Sequence, residues 1–184
     1  MRADAQRNRD KILAAAVRVF TEEGLDAHFE RIAKEAGVGT GTLYRNFPTR
    51  EVLIEAAYRN EVARLCDAAP ELLATLPPRA ALRAWMGRFI DYASAKLGMA
   101  EALRAVVASG GDPHGPSHAM IQKALVTLME AGAESGDLRS DIRPTDMFAA
   151  LAGIALTSAR PEQREQAERL LDLTLDGLST RPTG

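Results

Sequence analysis

Residues 30–47 read ERIAKEAGVGTGTLYRNF and carry the pattern of two short helices joined by a tight turn. Ala33 is small enough for the second helix to pass close over the first. Gly37 follows four residues later and can adopt the left-handed conformation that a short interhelical turn needs. This spacing predicts a helix-turn-helix whose apolar skeleton is formed by Ile32, Ala33, Ala36, Val38 and Leu43.

The second helix of this pair has polar side chains that the miniature core does not use. These are Thr40, Thr42, Tyr44, Arg45 and Asn46. An exposed helix face with hydroxyl, amide and guanidinium groups suits a DNA groove. An alternative remains open for Tyr44, which can instead be a core aromatic with only its hydroxyl at the surface.

The surrounding residues resemble a known family over about Arg7 to Tyr58. The matching positions are Gly24-Leu25, Ile32-Ala33, Ala36-Gly37-Val38, Gly41-Thr42-Leu43-Tyr44, Phe47, Arg50 and Leu53. Together they resemble the N-terminal domain of the TetR family of one-component transcriptional regulators. The resemblance implies an all-helical homodimer whose larger C-terminal domain binds a small effector that controls affinity for a DNA operator. The rest of the chain matches that family only in length and helical character.

The resemblance also implies roles for individual residues. Thr40 and Gly41 correspond to the helix tip that enters the major groove, and Thr42 and Tyr44 to phosphate ligands. Arg45 and Asn46 are the candidates for base edges, because arginine pairs with guanine and asparagine with adenine. Arg50 is expected to hold a phosphate at the start of the fourth helix.

Two positions depart from the commoner family pattern, and one segment has two interpretations. His28 stands where the family usually has Ser, Thr or Pro, and Arg50 where it usually has Lys. Arg2, Arg7 and Arg9 can either reach a phosphate or minor groove or belong to a solvated terminus.

Composition limits the classes of protein to consider. The chain has 184 residues, of which 46% are hydrophobic and 26% charged, with a net charge of −2. Basic residues outnumber acidic ones up to Arg50 and the balance reverses afterwards, which allows phosphate binding at one end only. The single cysteine, Cys66, excludes an intramolecular disulfide, and no apolar run suggests a signal peptide or a membrane span. We therefore expect a cytoplasmic protein without a membrane partner.

Helical periodicity extends over the whole chain and predicts an all-α fold. We expect a helix-turn-helix domain over residues 1–48 and a helical ligand-binding and dimerisation domain over residues 49–184. The linker is expected at Ala69 to Pro78. Helices are expected at about 7–23, 28–35, 40–46, 50–66, 79–97 and 117–135, with a short one near residue 106, one capped by Thr145 and one beginning at Pro161. Thr49 and Ser117 are expected to be N-caps.

Two residue sets in the larger domain are candidates for function. Methionines and aromatics can line a ligand pocket, although a stripe at helical spacing also fits plain core. That set is Trp85, Met86, Phe89, Tyr92, Met99, Met120 and Met129.

By resemblance, the last two helices pair with their copies in a four-helix dimer interface, although intrachain packing is equally compatible. The interface set is Phe148, Leu151, Ala152, Ala155, Leu170, Leu171, Thr174 and Leu178.

The pattern favours a homodimeric, ligand-responsive DNA-binding regulator, most often a repressor in this family, over two other classes. The first is a helical enzyme or small-molecule carrier. The sequence contains no plausible Cys–His pair and no Gly-rich phosphate loop to support catalysis, and no cofactor is expected. His114 and His118 with Asp112 suggest a metal, but Pro116 prevents the histidines from sharing a helix, so no metal site is expected. An architectural DNA binder without an effector is the third class, favoured by an interior with no cavity.

Overall fold

The computed structural model describes residues 2–158 and 161–180; the side chains of Arg2, Ala3, Leu25 and Pro161 lie outside the described part. The described residues form helices without a β-sheet, which confirms the all-α prediction. The helices are α1 (Arg2–Glu23), α2 (Phe29–Ala36), α3 (Thr40–Asn46), α4 (Arg50–Leu73), α5 (Pro78–Gly98), α6 (Ala100–Ala108), α7 (Ser117–Glu134), α8 (Pro144–Thr157) and α9 (Arg164–Gly177). Short 3₁₀ turns occupy Gly24–Asp26 and Pro161–Gln163.

The helix-turn-helix is built as its spacing predicts. Gly37 ends α2 in the left-handed region at φ 66°, and the Val38 N–H donates to the Ala33 carbonyl at 3.0 Å. This hydrogen bond satisfies a carbonyl at the end of α2, and the left-handed glycine turns the chain toward α3. Leu43 then packs into a fully buried core with Ile32, Phe47 and the inner face of α1.

Helix α4 is longer than the sequence pattern indicates. It continues to Leu73 and contains Pro70, so the expected linker at Ala69–Pro78 shrinks to the few residues before Pro78. Proline inside a helix removes one hydrogen bond and crowds the preceding turn. Here the turn is nevertheless helical because Ala68, Ala69 and Leu72 are buried, and that packing outweighs the local penalty.

Of three predicted N-cap residues, Thr49 is confirmed, whereas Ser117 and Thr145 are wrong. The Val52 N–H donates to Thr49 Oγ1 at 3.3 Å, so Thr49 caps α4. Ser117 is the first residue of α7 rather than its N-cap, and Thr145 follows Pro144 inside α8. Pro144 begins α8 because the first helical position needs no N–H donor and favours the proline backbone angle.

The chain divides into two compact units that combine distant segments. One contains Met1–Glu61 with Ala95–Gly115, and the other contains Val62–Ser94 with Pro116–Gly184. Helices α4 and α5 each pass from one unit to the other. The boundary expected after residue 48 stays a prediction.

The second unit has an aromatic core on α5. Trp85 is fully buried, and its indole Nε1 donates to the Leu65 carbonyl at 2.8 Å. Helix α8 packs beside both α7 and α9. Gly132 on α7 is buried against Leu138: a Cβ placed there would lie 2.2 Å from Leu138 Cδ1. None of the helices in the described part of the chain combines the length and the hydrophobicity of a membrane span.

Candidate nucleic-acid interface

Helix α3 separates a buried side from an open one. Leu43 is fully buried, whereas Tyr44 is 48% exposed and Arg45 and Gly41 are also exposed. Thr40 and Thr42 are half-buried at the rim. Helix α3 is therefore held in the core by one leucine, and its open side contains side chains that the sequence predicts to contact DNA.

Tyr44 is positioned by an aromatic neighbour on α2. Its ring lies 4.9 Å from the Phe29 ring, at an interplanar angle of 39°. Phe29 is itself buried, so the contact fixes Tyr44 at the edge of the core. The two interpretations of Tyr44 are thus compatible: the ring packs, and about half of the residue is open to solvent.

Arg45 and Asn46 are occupied by hydrogen bonds within α3. Arg45 donates from Nε to the Gly41 carbonyl at 3.1 Å and from Nη2 to Thr42 Oγ1 at 3.2 Å. Asn46 Nδ2 donates to the Thr42 carbonyl at 2.7 Å. Reading a base edge with either side chain therefore requires these bonds to be exchanged for bonds to DNA.

A polar notch of about 390 Å³ lies between the starts of α2 and α4 and next to Tyr44. Of its residues, sequence reasoning identified only Tyr44 and Arg50 as site residues. The others come from two helix starts that are far apart in the chain, and the cap signal at Thr49 was the one local indication. We call it the α2–α4 notch; its lining is His28, Phe29, Glu30, Tyr44, Pro48, Thr49 and Arg50.

Arg50 is held by the fold at the back of this notch. Its guanidinium donates to the Ala27 carbonyl and lies 5.9 Å from the centre of the Phe20 ring. The following residue, Glu51, has a lowered pKa because its carboxylate accepts bonds from its own backbone N–H and from Thr49. Glu30 is an exposed acid at the notch and opposes the charge of Arg50.

Several arginines of this unit are engaged in folding contacts. Arg31 donates to Glu35 at 2.8 Å and Arg18 to the same carboxylate at 3.2 Å, and these bonds lower the pKa of Glu35. The Arg9 guanidinium lies 4.6 Å above the Phe47 ring, and Arg7 pairs with Asp4. Arg2, a possible phosphate contact, has a side chain outside the described part.

The candidate ligand residues are mostly inside the second unit. Trp85, Met86, Phe89, Tyr92 and Met129 are buried, whereas Met120 is exposed on α7. Met99, at the start of α6, is buried in the other unit. Phe89 contacts the rings of Trp85, Tyr92 and Phe148.

The candidate dimer residues divide into two groups. Leu151, Ala155, Leu171 and Leu178 are already buried in the single chain, so they have little area left to bury against a second copy. Phe148, Ala152, Leu170 and Thr174 are half-buried. The most open apolar side chains on these helices are instead Leu156, 70% exposed, and Leu173, 69% exposed.

The loop after α6 has local functions in the fold. Asp112 Oδ1 accepts the Gly115 N–H at 2.8 Å, and the His114 ring meets the Tyr58 ring edge-on at 5.1 Å. Within residues 2–158 and 161–180, no three metal-ligating side chains of the His, Cys, Asp and Glu types form a cluster.

Two protein-family models match the chain. "Bacterial regulatory proteins, tetR family" matches residues 12–57, and "Transcriptional regulator SbtR-like, C-terminal domain" matches residues 77–180. Among curated proteins, an HTH-type transcriptional regulator of Staphylococcus aureus strain USA300 is 48% identical over 54 residues. That match covers 29% of this chain and 29% of the relative.

Solved structures extend the similarity to nearly the whole chain. The TetR transcriptional regulator SCO0520 from Streptomyces coelicolor is 79% identical, with a TM-score of 0.92 over 96% of this chain and 99% of that one. A TetR transcription regulatory protein from Mycobacterium vanbaalenii is 33% identical, with a TM-score of 0.79 over 97% and 99% of the two chains. The fold and these relatives are those of transcriptional regulators rather than enzymes. The chain belongs to the TetR family of helix-turn-helix transcriptional regulators.

Proposed function

We propose that this protein is a homodimeric repressor in the cytoplasm that binds a DNA operator through α3 and leaves it when a small molecule binds. The observation that carries the proposal is the open face of α3, where Tyr44 and Arg45 are exposed beside a fully buried Leu43. A rigid helix with that division is what insertion into a major groove requires.

The proposed DNA contacts fall into two groups. Arg45 and Asn46 read base edges after exchanging their bonds within α3, and Thr40 with Gly41 brings the helix tip close to the groove. Thr42, Tyr44 and Arg50 contact phosphate around the α2–α4 notch. These contacts fix the register of the protein on DNA without reading sequence.

The proposed dimer uses the outer faces of α8 and α9. On α8, Ala149, Ala152, Gly153 and Leu156 recur at spacings of three and four residues, and all are exposed or half-buried. Leu170, Leu173 and Thr174 form the corresponding face of α9. Pairing these faces with their copies gives a closed twofold interface in which Leu156 and Leu173 lose their exposure. Two α3 helices then meet half-sites about one helical turn (~34 Å) or more apart.

The proposed effector acts on the second unit, where the aromatic residues of α5 and Met129 border its site. Helix α4 begins beside the α2–α4 notch and continues into that unit, which gives a continuous element for coupling. A coupling free energy of about 1 to 3 kcal/mol is typical of such allostery and corresponds to roughly 5- to 150-fold in operator affinity.

Selection of bound sequences from random DNA by the purified protein tests the proposal. We expect a near-palindromic consensus with two half-sites, bound in a strongly salt-dependent manner. The triple variant Thr40→Ala, Arg45→Ala, Asn46→Ala is expected to yield no consensus while keeping the melting temperature. A consensus unchanged in the triple variant, or no enrichment by the wild-type protein, would refute the assignment.

A DNA binder without an effector is the second candidate. The deep burial of Trp85, Met86 and Phe89 favours it, because a filled interior has no room for a ligand. A thermal-shift screen of small metabolites against the protein separates the two candidates. An effector that raises the melting temperature and releases operator DNA supports the repressor; stabilisation without release, or no stabilisation at all, supports the second candidate.

A further inference from the structure

A second cleft lies in the unit that contains the helix-turn-helix, away from α3. It is formed by the end of α5, one face of α6 and the loop that follows α6, and it has a volume of about 280 Å³. We call it the α6 cleft. None of the ligand residues expected from the sequence lines it.

The floor of the α6 cleft is apolar and partly open to solvent: Leu97 and Val107 are exposed, whereas Leu103 is buried. Ala100, Leu103 and Val107 follow one another at spacings of three and four residues along one face of α6, and Leu97 adds the end of α5. Leu97 is 41% exposed and Val107 50% exposed, although a helix normally turns such side chains inward. The floor can therefore bury the apolar part of a small molecule.

Two cations border this floor. Lys96 and Arg104 both line the cleft and are exposed. Within the described part of the chain, neither has a carboxylate partner at ion-pair distance; the Lys96 ammonium instead lies 5.9 Å from the centre of the Tyr58 ring. The nearby acid Glu101 has its carboxylate beside Gly24, and Asp112 Oδ1 accepts the Gly115 N–H. The lining therefore contains two cations and no carboxylate, and the nearest acids lie outside it.

His114 completes the lining as a largely neutral group at pH 7. Burial and the Lys96 charge lower the pKa of its imidazole, and Asp112 opposes that shift only in part. A neutral imidazole can donate or accept a hydrogen bond without adding a third charge. The chemistry of the cleft is thus two cations, one adaptable polar group and an aliphatic floor.

We propose that the α6 cleft binds a small amphipathic carboxylate, with its carboxylate between Lys96 and Arg104 and its apolar part on Leu97, Leu103 and Val107. A compact inorganic anion would satisfy the cations and leave the floor exposed. A neutral lipid would cover the floor and leave the cations unpaired. Only a molecule with both parts matches the whole lining.

The cleft lies close to the DNA-binding helices of its own unit. Gly98, the last residue of α5, faces Thr21 of α1 so closely that a Cβ at Gly98 would lie 2.4 Å from Thr21 Cγ2. An effect of the ligand on operator affinity would rest on the proposed function, so the binding itself is measured without DNA.

Isothermal titration calorimetry of the full chain with sodium octanoate tests the proposal, with 1-octanol and inorganic phosphate as comparison probes. For a ligand of this size we expect a dissociation constant on the order of 10⁻⁴ to 10⁻³ M. Octanol is expected to bind at least about 5-fold more weakly than octanoate because it leaves both cations unpaired, and phosphate is expected to show no binding in this range.

Paired variants assign the binding to the cleft. Lys96→Gln with Arg104→Gln is expected to weaken octanoate binding at least about 5-fold. The control, Arg88→Gln with Lys123→Gln, removes the same charge from exposed positions in the other unit and is expected to change nothing. Circular dichroism melting verifies that both variants fold.

Four results would overturn the proposal: no octanoate binding by the wild-type protein, equal binding of octanol, binding of phosphate as tight as that of octanoate, or equal effects of the two paired variants. If the cleft pair misfolds, Val107→Asp provides the same test, because it places a carboxylate on the floor. Since no DNA is present, these results are independent of the operator selection above.

Discussion

Tyr44 combines a packing contact in the fold with a proposed contact to DNA. Its ring packs on Phe29 at 4.9 Å, while about half of the residue stays open to solvent beside the α2–α4 notch. The pattern of polar residues in the sequence placed Tyr44 on the exposed helix. Its aromatic partner was not predictable, because Phe29 lies in another helix and the contact depends on how the two helices cross.

Tyr44→Phe separates these two roles. The variant keeps the ring contact, so its melting temperature should equal that of the wild type. Loss of a hydroxyl bond to phosphate should cost about 1 to 2 kcal/mol, roughly 5- to 30-fold in operator affinity, as measured by fluorescence anisotropy. Tyr44→Ala is the comparison variant and should lower both affinity and melting temperature. Wild-type affinity for Tyr44→Phe would exclude the phosphate contact.

For Glu30 we expect the opposite effect, a gain in DNA affinity when the side chain is replaced. Its carboxylate lies at the notch where a phosphate is proposed, so Glu30→Gln should strengthen DNA binding. For an exposed charge we expect roughly 2- to 5-fold tighter binding at low salt, with the gain disappearing as salt screens the repulsion. Glu130→Gln, an exposed site on α7, is the matched control. Equal gains in both variants would indicate a general charge effect rather than a local one.

At the scale of elements, periodicity located the helices but not all of their ends. Pro70 and the prolines after it predicted a linker from Ala69, yet α4 runs to Leu73 because its last turns are buried. Ser117 and Thr145 have the composition of caps, but prolines at Pro116 and Pro144 take the positions around the helix starts. Local propensity therefore predicts an end correctly, as at Thr49, only where tertiary packing does not override it.

Gly132 tests close packing between α7 and the segment that follows it. Alanine improves helix propensity by about 1 kcal/mol, but its Cβ would lie 2.2 Å from Leu138 Cδ1, and such overpacking costs about 1 to 3 kcal/mol. We expect Gly132→Ala to lower the melting temperature by roughly 2 to 4 °C. Gly87→Ala on α5 meets only Arg83 Nη1 at 3.9 Å and should raise it slightly. A gain in both variants would show that Leu138 moves aside freely.

Helices α5 and α9 are linked by ion pairs that predict a pH dependence. Arg83 donates to Glu168 at 2.7 Å and to Asp172 at 2.5 Å, which lowers the pKa of both carboxyls. A lowered folded-state pKa contributes stability that is present above the ordinary values of 4.5 and 3.8 and is lost as pH falls below them.

Arg83→Met should therefore reduce the difference in melting temperature between pH 7 and pH 4, measured by calorimetry. The effect should be small, about 0.2 to 1 kcal/mol for the Glu168 pair, because that carboxylate is partly exposed. Arg88→Met removes an exposed charge from the same helix and should leave the pH dependence unchanged. An unaltered slope in Arg83→Met would mean that the pairs do not contribute to stability.

For the molecule as a whole, helical periodicity could not distinguish two apolar faces on one helix. On α8 the buried face contains Met147, Leu151 and Ile154, and the outer face contains Ala149, Gly153 and Leu156. Both repeat with helical spacing, so periodicity does not separate them. The resemblance placed Leu151 and Ala155 in the dimer interface, and both are buried within the single chain. The exposure of Leu156 and Leu173 is the reason that the proposed dimer uses the outer face.

The double variant Leu156→Glu, Leu173→Glu tests that face and, with it, the requirement for two DNA-binding heads. Four glutamates would meet across the proposed twofold interface, where burying unpaired charges is strongly unfavourable. Sedimentation equilibrium should show a dimer for the wild type and a monomer for the variant. Because one head then binds only one half-site, operator affinity should fall by roughly 100-fold or more.

The control variant Leu76→Glu, which adds a charge at another exposed leucine outside both helices, should remain dimeric. A variant that is still dimeric would place the interface elsewhere, whereas a monomer with undiminished operator affinity would show that α3 binds DNA without a twofold partner.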